Sequence, residues 1–113
     1  MAKKTLRQLH TRVPNGLLFD YLPVLSHNEL RVYLCIAIHA NYKTGWAFPT
    51  QATICKETGI KSTTTITRNT EALREYGLIT YEYRKAVNLE GVPYGRKRYF
   101  YKLRYTAFTE YMR

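Results

Sequence analysis

Ser62-Thr-Thr-Thr-Ile66-Thr-Arg68-Asn-Thr-Glu71-Ala-Leu73-Arg-Glu-Tyr-Gly77-Leu-Ile79 is the stretch around which the rest of the chain is arranged. Ser62 can cap a helix, its hydroxyl taking an orphan amide of the first turn. Gly77 closes that helix, being the residue that most readily turns left-handed after a last turn. Ile66, Thr70 and Leu73 recur at helical spacing and predict the inward face, with Asn69 and Tyr76 at its edge. Thr64, Thr67, Arg68 and Glu71 fall opposite. A helix face of hydroxyls and one arginine suits the edges of base pairs in a duplex major groove, and equally suits plain solvent. The flanking sequence decides between the two.

Upstream, Thr50 caps a second predicted helix from Gln51 to about Thr58, with Ile54 and Cys55 inward and Gly59 ending it. Ile60 turns inward before Lys61-Ser62. Helix, glycine turn, helix is the helix-turn-helix layout, whose second helix enters the groove. Further back, Leu25-Ser26-His27-Asn28-Glu29-Leu30 carries a Ser-x-x-Glu capping box with Leu25 and Leu30 as a hydrophobic staple. The helix it opens reaches about Ala40 and is apolar on most sides, with a narrow polar stripe through Arg31, Cys35 and His39. It predicts the centre of a small bundle. Leu17, Leu18, Tyr21 and Leu22 predict a short helix stopped by Pro23, and Trp46-Ala47-Phe48 a short extended segment.

Downstream, residues 78–84 alternate as a strand, Ile79, Tyr81 and Tyr83 on one side and Thr80, Glu82 and Arg84 on the other. Residues 96–104 are the expected antiparallel partner, and residues 85–95 a long loop containing Gly91, Pro93 and Gly95. Arg84, Lys85, Arg96, Lys97 and Arg98 then gather at the outer end of the hairpin. That hairpin is a wing. Eleven tyrosines, most of them in this half, read as strand residues first and as phosphate or base contacts second.

The expected fold is α+β. A three-helix core with a short strand and a two-stranded wing spans residues 13–104. The short helix opens that span, a basic arm (1–12) precedes it, and a tail (105–113) follows. Lys and Arg number 18 against 8 Asp and Glu, a net charge of +10, which points to a polyanion. No stretch predicts a membrane span or a leader, so a cytoplasmic location is expected. Cys35 and Cys55 form no CxxC motif and have no histidine at metal spacing, so buried free thiols are expected, with no metal and no cofactor. His10, His27 and His39 are scattered, and no phosphate loop or paired carboxylate appears, so no catalysis is expected.

Phe48-Pro49-Thr50-Gln51, Ile54-Cys55-Lys56, Gly59-Ile60-Lys61-Ser62, Ile66, Arg68 and Leu73 through Gly77-Leu78-Ile79 resemble the winged helix-turn-helix domains of plasmid and phage replication initiators and replisome organisers. Val13-Pro14-Asn15 and Leu25-Ser26-x-x-Glu29 are similar to their lead-in. The resemblance covers residues 13–104 and implies a sequence-specific binder of double-stranded DNA acting at an origin. Transcriptional regulators of mobile elements and accessory proteins at conjugative transfer origins use the same module. Thr63, Thr64, Thr67 and Arg68 would approach base edges, and Lys61 and Ser62 would hold phosphates. Arg84, Lys85, Arg96, Lys97 and Arg98 would serve the wing. A homodimer and replication, transcription or transfer proteins are the further partners it leaves open. Asn69 and Thr70 depart from the family, which places apolar residues there, and Glu71 puts a negative charge on the DNA side. Many initiators continue into a second domain, so the chain is expected to be either a separated DNA-binding domain or a small stand-alone protein.

Overall fold

The computed structural model describes residues 11, 13, 15–41 and 43–104, excepting the side chain of Leu18. The basic arm, apart from residue 11, and the tail lie outside the described residues. The elements are α1 (Asn15–Tyr21), α2 (His27–His39), β1 (Trp46–Ala47), α3 (Gln51–Thr58), α4 (Thr63–Glu75), β2 (Ile79–Val87) and β3 (Pro93–Leu103). One antiparallel sheet has the order β1-β3-β2. Helices on a small sheet with a long hairpin make the winged helix-turn-helix that the sequence predicts.

Local chemistry sets each helix boundary. Ser26 Oγ accepts from the Glu29 amide at 3.1 Å while Glu29 Oε1 accepts from the Ser26 amide at 2.9 Å, so the capping box closes. Thr50 Oγ1 accepts from the Thr53 amide at 3.1 Å and starts α3. Gly59 ends α3 at φ 80°. After α4 the Leu78 amide donates to the Leu73 carbonyl and the Gly77 amide to that of Arg74, at 3.0 and 2.9 Å. This is the Schellman arrangement, and Gly77 supplies its left-handed residue at φ 82°. Leu73 and Leu78, which that motif brings together, are both fully buried.

Val32, Tyr33, Ile36, Ile54, Ile66, Leu73, Leu78, Ile79 and Tyr101 form the middle of the core. The helix-turn-helix is thus held on α2 on one side and on the root of the hairpin on the other. α1 is tied to the end of α4: Tyr21 Oη donates to the Tyr76 carbonyl at 3.3 Å, and the two rings meet edge-on at 6.1 Å. Leu22 falls in the turn after α1 and is exposed.

The central helix differs from its sequence reading. Cys35 is the buried thiol expected and so leaves the polar stripe, while Leu34 and Ile38, read as apolar packing positions, face solvent beside Arg31. The reason is tertiary. α3, α4 and the sheet cover only one side of α2, so an apolar residue on its far side has nothing to pack against among the described residues. Both cysteines are free thiols, but Cys55 is only half-buried. Burial, then the bond to Glu57, pushes the Cys35 thiol up to about 12.

The hairpin is longer than expected and its loop shorter. Pairing runs on through Ala86↔Tyr94 and Val87↔Pro93, leaving a turn of residues 88–92. Pro93 is tolerated because it is the first residue of its strand. Asn88 builds the turn, its Oδ1 accepting from the amides of Glu90 and Val92 at 2.9 Å each.

Candidate nucleic-acid interface

One face of α4 is anchored and the other is open. Ile66 and Leu73 are fully buried, with Asn69 and Thr70 buried beside them. The two polar residues at positions expected to be apolar therefore enter the core. Thr70 Oγ1 donates to the Thr67 carbonyl at 2.9 Å, but Asn69 Nδ2 finds no acceptor among the described residues. On the open face Thr63, Thr64, Arg68 and Glu71 are exposed, as are Lys61 and Ser62 before the first turn. Arg68 has no hydrogen bond or ion pair among the described residues. Ser62 Oγ accepts from the Thr65 amide at 3.4 Å, so it caps the helix as expected.

Thr67 is placed differently from its neighbours. It is half-buried, and its Oγ1 accepts from Gln51 Nε2 at 2.9 Å. That bond joins the first turn of α3 to the middle of α4, so the hydroxyl is engaged inside the helix-turn-helix.

The wing cations divide into two groups. Arg84 and Arg98 are cross-strand partners, and both are held by the protein. Arg84 Nε donates to Glu82 Oε1 at 2.7 Å, and its guanidinium lies over the Phe100 ring at 4.1 Å. Arg98 donates to the Phe48 carbonyl, and its guanidinium lies beside the rings of both Phe48 and Phe100, at 5.9 and 5.8 Å. Lys85, Arg96 and Lys97 are exposed. They occupy a bulge: between the pairs Arg84↔Arg98 and Ala86↔Tyr94, Lys85 on β2 faces Gly95, Arg96 and Lys97 on β3. Gly95 takes φ 74°, the left-handed conformation a bulge of this sort needs.

These charges therefore sit partway along the hairpin and not at its outer end, which corrects the sequence reading. Treating Gly95 and Pro93 as loop residues put the tip too early. The actual tip carries exposed Leu89 and Glu90, with exposed Val87, Val92 and Tyr94 beside it.

Between α4 and the wing lies a tyrosine-lined face that the sequence reading did not place. Tyr83, Tyr99, Tyr81 and Tyr101 form a row of ring contacts along the strands: Tyr83–Tyr99 tilted at 4.7 Å, Tyr99–Tyr101 stacked at 5.7 Å, and Tyr81 edge-on to Tyr99 and Tyr101. Arg74 of α4 lies over Tyr81 at 5.1 Å. Burial, then Tyr81 and Tyr83, then Glu71 of α4 raise the Tyr99 hydroxyl above its ordinary value. Alternation in residues 78–84 was the available signal, since it put Tyr81 and Tyr83 on one side. A second cluster was also missed: the ligating atoms of Cys35, His39 and Glu57 all lie within 4.8 Å of one another. No described helix is long and apolar enough to cross a membrane.

A winged helix-turn-helix with an exposed, partly basic second helix and a basic wing defines a class of DNA-binding domain. Comparison of the chain with family models agrees. Residues 24–79, from the approach to α2 into the start of β2, match the family described as "Helix-turn-helix domain". That match supports DNA as the partner. No curated protein gave a significant match.

Proposed function

We propose that the chain binds duplex DNA sequence-specifically, with α4 in the major groove and the wing bulge on adjacent backbone, and that it does so at a replication origin of a plasmid or phage. The observation that carries the DNA reading is the open face of α4. Thr63, Thr64 and Arg68 are exposed on a helix whose other face is locked in the core, so they are presented on a rigid element. Free amides at the start of α4, with the helix dipole behind them, attract a phosphate that Lys61 and Ser62 complete. In this reading Arg68 gives two hydrogen bonds to a guanine edge, and Glu71 accepts from a cytosine amine. Thr67 acts through its bond to Gln51, setting the angle between α3 and α4. Lys85, Arg96 and Lys97 supply backbone charge on the wing. The mechanism is binding, without covalent chemistry.

The origin assignment is supported by the resemblance of residues 13–104 to replication initiators. Footprinting on the DNA of the replicon that encodes the chain tests both levels. Protection of repeats within the origin is the expected result. Protection confined to a promoter would make the protein a transcriptional regulator, and protection confined to a transfer origin would make it a conjugation accessory. No shift of any duplex at low salt would overturn DNA binding itself.

A further inference from the structure

Cys35 and His39 stand four residues apart on α2 and so share one face of that helix. Opposite them, Glu57 projects from the last turn of α3. Cys35 Sγ donates to Glu57 Oε1 at 3.3 Å, and His39 Nε2 lies 2.8 Å from the same oxygen. One carboxylate oxygen thus takes two hydrogen bonds while sulfur, nitrogen and oxygen converge within 4.8 Å. The sulfur is on the buried side, and the His39 and Glu57 side chains are 32% and 42% exposed, so the cluster is closed beneath and open above.

We propose that Cys35, His39 and Glu57 form a three-ligand site for a borderline-soft divalent cation of the zinc class, clamping α2 to the first helix of the helix-turn-helix. Ligands at about 2.0–2.3 Å from zinc in a tetrahedron stand roughly 3.4–3.6 Å apart. The sulfur–oxygen pair is already near that separation. The nitrogen–oxygen pair must open by about half an ångström, and the sulfur–nitrogen pair, which lies within 4.8 Å, must close by up to about 1.2 Å, adjustments made by rotating the His39 and Glu57 side chains. Charge also balances. On binding, the thiol proton leaves to solvent, and thiolate, carboxylate and neutral imidazole together offset the two positive charges. A thiolate with an imidazole selects zinc or cobalt over magnesium or calcium, and the open side leaves a fourth position for water.

This site is independent of the DNA reading, and either can fail without the other. The test is titration of the untagged, reduced full chain with cobalt(II). The expected result is a thiolate-to-cobalt charge-transfer band that saturates at one equivalent and is bleached by zinc. Cys55→Ser should keep the band and Cys35→Ser should lose it. Affinity should drop at least tenfold in His39→Ala and in Glu57→Gln, both changes at partly exposed side chains that leave the fold intact by circular dichroism. Zinc at about one hundred times its Kd should raise the melting temperature by roughly 10 °C, reversed by a chelator. A missing band, a band that survives Cys35→Ser, or an unmoved melting temperature would each overturn the proposal. The triad would then be a hydrogen-bonded tie between helices and nothing more.

Discussion

Arg68 is the one arginine on the open face of α4 that lies ahead of Arg74, and no protein group holds it among the described residues. Its guanidinium gives up no internal contact to meet a base. Arg68→Ala should therefore leave thermal stability unchanged and cost about 1–3 kcal/mol of discrimination between specific and random duplex, measured by competition binding. Equal losses on both DNAs would reduce Arg68 to a phosphate contact. Tyr101 poses the reverse case. It is 1% exposed, and its hydroxyl finds no partner among the described residues. Removing that oxygen should be neutral or stabilise by up to about 1 kcal/mol, because a buried unpaired hydroxyl costs desolvation and returns no bond. Burial, then Tyr99, Tyr81 and Cys35, raise the Tyr101 pKa above its ordinary 10.0. The neutral phenol is thus favoured by folding. Its contribution is complete below pH 10 and is lost as pH rises through the higher folded value. Tyr101→Phe should accordingly lose less stability than the parent above pH 10 in denaturant titrations. Some loss will remain, because burial also lifts Tyr33 to about 12.

At the scale of elements, the wing is the informative case. Arg84 is held within the hairpin by Glu82 and Phe100, and Arg98 ties the hairpin to Phe48, the residue after β1. Lys85, Arg96 and Lys97 on the bulge make no such side-chain contacts among the described residues. Like charges on facing strands repel, so the bulge is costly unless a polyanion offsets it. Arg96→Ala with Lys97→Ala should weaken DNA binding at least tenfold, about 1.4 kcal/mol, while the melting temperature holds or rises. Arg98→Ala should behave oppositely, lowering stability because it breaks the bond to Phe48. If the double variant binds like the parent, the wing is a structural hairpin and recognition rests on α4. α4 carries its own internal tension. Buried Asn69 and Thr70 replace apolar packing, and Schellman closure at Gly77 with fully buried Ile66 and Leu73 compensates.

For the whole molecule, the net charge of +10 sets the first-order behaviour, but not every cation is available. Lys61, Arg68, Lys85, Arg96 and Lys97 are the exposed cations of the proposed surface whose side chains no other group holds among the described residues. If about five phosphates are neutralised, log K should fall with log salt at a slope of roughly −4 to −5. A flat response in a filter or anisotropy assay would show that these charges are not the binding surface. The elements themselves were legible because each is specified by neighbours in sequence: Ser26 and Glu29 for α2, Thr50 and Gly59 for α3, Ser62 and Gly77 for α4, strict alternation for β2. The inward face of α4 was legible for the same reason, since helical periodicity alone aligns Ile66, Asn69, Thr70 and Leu73. What depends on distant residues was not. Which side of α2 is covered depends on where α3, α4 and the sheet come to rest, and that exposed Leu34 and Ile38. The register of the hairpin depends on a bulge that only cross-strand pairing reveals, and it moved the basic cluster inward from the tip. The meeting of Cys35 and His39 with Glu57 joins two helices across an intervening strand, so no local spacing announces it. Short-range capping and periodicity are properties of the chain, whereas coverage, register and convergence are properties of its packing.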